Sequence, residues 1–200
     1  MTSPATVRDP TADHLLTPSN AALLVIDYQP TQVRSIQSRD RRSLIANAVS
    51  TCRIAQLFGL PTVLSTVNVA TGRNTATIAP IADILSNIAA IDRTSINSWE
   101  DDDFVAAVKA TGRRKLVMLA LWTEACLAFA ALDALREGFE VYPVVDAVGG
   151  TSREAHDRAM DRLIQAGAQP TSWVQLACEL QRDWARTATS SQFADILFSF

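Results

Sequence analysis

Histidine is scarce in this chain of 200 residues: His14 and His156 are the only two. A histidine-built metal site needs more ligands than that. The three cysteines, Cys52, Cys126 and Cys178, are spaced too widely for a zinc pattern or a disulfide framework. These scarcities point to a reducing, cytoplasmic setting and to chemistry with no metal and no cofactor. Glycine is sparse too, and its placement excludes three common α/β functions. No G-x-G-x-x-G follows an apolar run, no P-loop is present, and the serine-hydrolase elbow G-x-S-x-G is missing. Positive charge is not in excess: 18 Lys and Arg against 21 Asp and Glu leave a net charge of -3. No basic face with interleaved aromatics exists, so a nucleic-acid partner is not expected. No apolar run approaches the roughly 20 residues that span a bilayer, so no membrane partner is expected either. The polar, proline-dotted first twenty residues do not read as a signal peptide.

What is present is an ordinary globular composition, 48% hydrophobic and 20% charged. The length suits one domain burying about 70% of its unfolded surface. Residues 1–20 read as a loosely held arm and 21–200 as a single domain. Short segments at 21–26, 62–67, 89–93, 116–121, 139–145 and 169–172 read as strands, with 21–26 and 116–121 unbroken apolar runs. Between them, helical spacing is expected over 43–58, 78–88, 100–110, 123–137, 152–166 and 173–186. Strands alternating with helices imply right-handed crossovers and a parallel sheet covered on both faces. The expected architecture is therefore α/β, a three-layer α-β-α fold around a six-stranded parallel sheet of order 3-2-1-4-5-6. Five large apolar residues crowd positions 193–200. A tail of that kind should dock on its own body or on a neighbouring subunit.

The chain is organised around residues 116–130. This stretch opens as an unbroken apolar strand, breaks at Thr123-Glu124, and resumes as an almost wholly apolar helix closed by Gly138. Thr123 is expected to be the N-cap and Glu124 to complement the helix dipole. Cys126 then lies in the first turn, just past the C-terminal end of a central strand, where open α/β sheets place ligands. The positive end of the helix dipole should favour its thiolate. Asp27 ends the first strand and Arg93 the third. In a parallel sheet all three side chains meet at one edge.

Four segments carry a resemblance. They are Leu23-Leu24-Val25-Ile26-Asp27-Tyr28-Gln29, Arg93-Thr94-Ser95-Ile96-Asn97-Ser98-Trp99, Trp122-Thr123-Glu124-Ala125-Cys126, and Ala177-Cys178-Glu179-Leu180-Gln181-Arg182-Asp183-Trp184. In this order they resemble the isochorismatase-like cysteine hydrolases, and within them the YcaC-like subgroup, over most of residues 20–186. The resemblance implies the isochorismatase-like hydrolase fold and a catalytic set of Asp27, Arg93 and Cys126. Many relatives carry Lys where Arg93 stands. It also implies a cis peptide at Leu121–Trp122, with the amides of Trp122 and Cys126 forming an oxyanion hole. Zinc-binding relatives use histidines beside the first Asp, and none stands there in this chain. Subgroup likeness implies a ring-like homo-oligomer, an octamer.

The implied reaction starts with Asp27 taking the thiol proton and Cys126 attacking a small amide-like substrate to give a thioester. A guanidinium cannot act as a base, so the role of Arg93 is electrostatic. Gln29, Asn97, Trp99, Trp122 and Phe129 are candidate pocket residues by their nearness in sequence. Two other functions stay open: an oligomeric binding or scaffold protein with little turnover, and a vinyl-ether hydrolase that needs no cysteine. Blander readings cover the rest. Cys52 and Cys178 suit helical core stripes. Asp146 suits a turn cap, Glu100 to Asp103 an acidic helix start, and His156 a helix surface or interface.

Overall fold

A computed structural model describes residues 8–199. The central strand β1 (Ala21–Ile26) carries AALLVI and is buried at every position. It pairs in parallel with β2 (Thr62–Val67) on one side and β4 (Lys115–Ala120) on the other. Strand β3 (Ile91–Arg93) extends the sheet beside β2, and β5 (Glu140–Pro143) extends it beside β4. The order β3-β2-β1-β4-β5 reproduces the first five places of the expected sheet.

The expected sixth strand does not form as a full ladder. Gln169 and Thr171 still donate their N–H groups to Val141 and Pro143 at 2.8 and 2.9 Å, and Val145 donates to Thr171 at 2.8 Å. The bond that would join them is missing because Pro143 has no N–H to offer. The sheet therefore has five strands, and only a bridge between Val144 and Thr171 remains of the sixth.

Helices cover both faces. On one lie α2 (Arg41–Leu57), α7 (Trp173–Gln181) and α8 (Ser190–Leu197), packed over Leu23, Val25, Leu64, Val117 and Leu119. On the other lie α4 (Asp102–Ala110), α5 (Ala128–Arg136) and α6 (Arg153–Gln165), packed over Ala22, Leu24, Ile26, Leu116 and Met118. The alternation along β1 assigns its side chains to the two cores in turn. Two short helices, α1 (Pro30–Ser35) and α3 (Ala79–Ala82), interrupt the long loops. The helix expected over 78–88 shrinks to α3.

Two expectations about the chain ends change. The arm is firm from Asp13 onward: Leu16 is fully buried, and the buried Lys115 Nζ donates to the carbonyls of Asp13 and His14 at 2.8 and 2.7 Å. The last helix stops at Gln181, because Arg182 takes a left-handed φ of 63°. Trp184 therefore leaves the expected stripe and stacks edge-on against Phe193 at 5.1 Å. The apolar tail is α8, docked on its own chain through buried Phe193 and Leu197; Phe200 lies outside the described residues. Among the described residues no helix is long and apolar enough to cross a membrane.

Candidate active site

The C-terminal edge of the sheet gathers the ends of β1, β3 and β4. Asp27 follows β1 with a φ of 60°, a left-handed backbone that a non-glycine residue adopts only where its surroundings enforce it. Here its N–H is tied to the Ser65 carbonyl at 3.0 Å, and its own carbonyl accepts from Gln29 N at 2.7 Å. The turn aims the carboxylate along the edge instead of up into solvent, and the residue is fully buried.

Arg93, the last residue of β3, meets it. Nη1 donates to Asp27 Oδ1 at 2.9 Å and Nη2 to Oδ2 at 2.8 Å, a bidentate pair with both side chains fully buried. The same two nitrogens reach the carbonyls of Thr66 at 3.1 Å and Ile96 at 3.3 Å. A lysine has one charged nitrogen and could not reproduce this fork. Beside it, Asp92 points to the opposite face of β3 and binds the amides of Val69 and Ala70 at 3.0 and 2.8 Å, which anchors the loop after β2.

Cys126 comes from the third strand end. β4 stops at Ala120, the Leu121–Trp122 peptide bond is cis, and residues Thr123–Leu127 form one π turn before α5. Such turns are over-represented at functional sites. In an α-helix the Cys126 N–H would bond the Trp122 carbonyl. In the π turn that carbonyl takes the N–H groups of Ala125 at 3.2 Å and Leu127 at 3.1 Å. The Asp27 carboxylate and the Trp122 backbone both act on the thiol.

Electrostatics here depart from the expected thiolate. Burial pushes the Cys126 thiol up to about 12, the Asp27 charge and hydrogen bond add to the rise, and Arg93 and the Trp122 amide oppose it. Desolvation outweighs the helix dipole because a thiolate in this interior has little water to solvate it. At rest Cys126 is therefore a thiol on which a buried carboxylate acts. Cys52 is also pushed up to about 12, but by burial alone.

The other predicted site residues fall elsewhere. Gln29 is fully buried and fully engaged: Nε2 donates to the carbonyls of Val67 and Thr75 at 3.1 and 2.7 Å, and Oε1 accepts from Val67 N at 2.9 Å. Its polar atoms hold the loop instead of lining a pocket. Asn97 likewise turns inward, donating to Asp133 at 2.7 Å and accepting from Trp99 N at 3.0 Å. Trp99 packs against Phe104 and Phe139 in the same core as Cys126, with its indole N–H on Glu137 at 2.9 Å. The Trp122 indole N–H donates to Ser35 Oγ at 2.6 Å. Phe129, on the first turn of α5, is partly exposed. Among the described residues no group of three or more His, Cys, Asp or Glu side chains is placed to hold a metal ion.

Two expectations about neighbours of Cys126 are corrected. Thr123 does not cap the helix; its hydroxyl is 2.8 Å from His156 Nδ1. His156 is buried, not a surface residue. Its position was readable from α6, where residues 156, 159, 160 and 163 share the buried stripe.

An isochorismatase domain matches residues 21–175 of the chain. The chain is 38% identical over 167 residues to the probable hydrolase YcaC of Escherichia coli K12, covering 83% of this chain and 80% of that protein. The structure of E. coli YcaC, described as an octameric hydrolase of unknown specificity, superposes with a TM-score of 0.82 at 33% identity, covering 94% of this chain and 96% of that one. YcaC from Pseudomonas aeruginosa, solved with hexane-2,5-diol and covalent acrylamide, also gives a TM-score of 0.82, at 32% identity over 94% of this chain and 97% of that one.

Proposed function

The chain belongs to the isochorismatase family, and from that premise we propose that it is a cysteine hydrolase of small amide-like molecules, with Cys126 as nucleophile, Asp27 as base and Arg93 as their electrostatic partner. The observation that carries this reading is the contrast between two buried thiols. Both are buried, yet the Asp27 carboxylate acts on Cys126 while burial alone acts on Cys52. Covalent acrylamide in the P. aeruginosa relative supports it, since acrylamide is an electrophile that thiols attack.

In the proposed cycle the Cys126 proton passes to Asp27 as sulfur bonds to the carbonyl carbon. The amides of Trp122 and Cys126 receive the oxyanion, the kind of interaction that is usually the largest catalytic contribution. The π turn releases the Cys126 N–H for that purpose. Collapse of the adduct expels the amine, which takes the proton from Asp27, and a thioester remains. Water then gives a proton to Asp27 and attacks the thioester; the acid leaves and the thiol recovers its proton. Arg93 holds Asp27 at the fixed geometry this exchange needs.

The test is ammonia or amine release from a panel of small amides by wild type, Cys126→Ala and Cys126→Ser. The expected result is a loss of about 10^4-fold or more for both variants. Full turnover by Cys126→Ala would remove the cysteine mechanism, and turnover of a vinyl ether by Cys126→Ser, with no amine released from any amide by wild type, would favour a vinyl-ether hydrolase.

The working particle is proposed to be a homo-oligomer. Exposed Ile96, Val174, Trp184 and Phe198 give it apolar surface to cover, and the E. coli relative is octameric. Light scattering on the purified protein tests this; a monomer at micromolar concentration would refute it.

A further inference from the structure

A cavity of about 420 Å³ lies at the edge of the sheet, between β2, β3 and the segment around α3. That volume falls in the range of roughly 300–1,000 Å³ that small-molecule pockets occupy. Leu64, Leu85 and Ile88 give it an aliphatic interior, and Ala76 and Ala82 keep side-chain bulk out of it. None of Asp27, Arg93 and Cys126 lines it, and the cycle above makes no use of it.

Three side chains supply its polar part. Thr77 is 9% exposed, and its hydroxyl has no hydrogen-bond partner among the described residues. A buried hydroxyl left unpaired is costly, so its place in a cavity wall asks for a ligand. Thr66 Oγ1 donates to Asp92 Oδ1 at 2.9 Å and keeps its lone pairs. Asp92 Oδ1 also accepts from Val69 N at 3.0 Å. Of the described residues only Ala70 N reaches Oδ2, at 2.8 Å, so Oδ2 retains acceptor capacity. Burial raises the Asp92 carboxyl, but the Ala70 and Val69 amides, the Thr66 hydroxyl and the Arg93 charge outweigh it and leave it below its ordinary value. It is a carboxylate at neutral pH, and the lining holds no Lys, Arg or His to pair with it.

We propose that this cavity binds a primary alkylammonium ion, with the alkyl chain in the aliphatic interior and the ammonium on Asp92, Thr77 and Thr66. Charge and hydrogen-bond inventory both fit. An ammonium has three N–H donors and no acceptor, and the wall offers three acceptor side chains and one negative charge. An anionic ligand would face the Asp92 carboxylate with like charge. A neutral alcohol would forgo the charge-assisted bond. Exposed Ser86 and Ala90 mark the mouth through which the ligand enters. The site adjoins the catalytic edge through Thr66, whose carbonyl accepts from Arg93 Nη1 at 3.1 Å, but it stands whether or not Cys126 is a nucleophile.

The experiment titrates the purified full chain at neutral pH with three probes of one tail: n-pentylammonium, 1-pentanol and pentanoate. Saturation transfer to the pentyl protons, read by NMR, gives each affinity. Pentylammonium is expected to bind in the millimolar range, at least about tenfold more tightly than pentanol, since hydrogen bonds to a charged partner are about twice as strong as neutral ones. Pentanoate should show no binding. Thr77→Val keeps the side-chain shape and removes the hydroxyl. It should weaken pentylammonium about tenfold while melting no earlier than wild type, because the hydroxyl it loses was unpaired. Ala82→Phe fills the cavity and should abolish binding. Equal affinity for pentanol, binding of pentanoate, or undiminished pentylammonium affinity in either variant overturns the proposal. So does failure of all three probes to bind, the result expected if a second copy of the chain is seated over the mouth.

Discussion

Replacing Arg93 by alanine tests how the site is held together. The substitution removes four N–H hydrogen bonds, two of them to the Asp27 carboxylate, from a pair with no solvent access on either side. Orphaning one member of such a pair costs about 3–5 kcal/mol, because the remaining charge keeps its desolvation without its partner. At 1 kcal/mol for about 2–4 °C in a protein of this size, Tm should fall by about 6–20 °C. The pair itself is a different quantity. Removing both charges with Arg93→Met and Asp27→Asn together leaves no unpaired charge, and Asn tolerates the left-handed backbone at position 27. The double variant should therefore be more stable than Arg93→Ala by at least about 2 kcal/mol. Denaturant unfolding at one fixed protomer concentration measures both, since assembly shifts apparent stability. A cost below about 1 kcal/mol for Arg93→Ala, or a double variant no better than it, would refute the reasoning.

Two further outcomes follow from the packing and the charges. Phe193→Ala should cost about 3–5 kcal/mol, because the ring is 1% exposed and anchors α8; an effect under 1 kcal/mol by denaturant unfolding would mean that α8 is not part of the folding unit. Burial, and then the Arg39 charge, holds the His156 imidazole below its ordinary value of 6.5. The unfolded chain thus binds the proton first, and stability should fall as pH drops below about 6.5. Thermal unfolding from pH 8 to pH 5 should show this slope in wild type and a smaller one in His156→Asn; equal slopes would remove His156 as the cause.

The sequence located β1 with its bounds because it is an unbroken apolar run, and β2 because its β-branched residues follow the break at Gly59-Leu60-Pro61. Asp27, Arg93 and Cys126 were legible because a parallel sheet brings its strand ends to one edge. Their contacts were not. The roles of Gln29 and Asn97 depend on which backbone carbonyls and carboxylates the loops bring near them, and nearness in sequence does not encode that. Thr123 has the composition of a cap, but the turn starts one residue early, with Trp122 at the cap position, and the Thr123 hydroxyl meets His156 instead. The sixth strand failed for a reason written in the chain, since Pro143 lacks the donor that a full ladder needs. The raised Cys126 thiol was hidden because a dipole argument is local, while desolvation depends on the whole packed core.

The central claim is that Asp27 removes the Cys126 proton. Its most direct test is the iodoacetamide labelling rate of Cys126 between pH 7 and pH 9 in wild type and Asp27→Asn. Without a base the thiol labels only through its thiolate fraction, so its rate climbs with pH; losing Asp27 removes two causes of the raised thiol and leaves burial, the largest, in place. The account predicts that climb in Asp27→Asn and a nearly flat profile in wild type. The same climb in both proteins would contradict it.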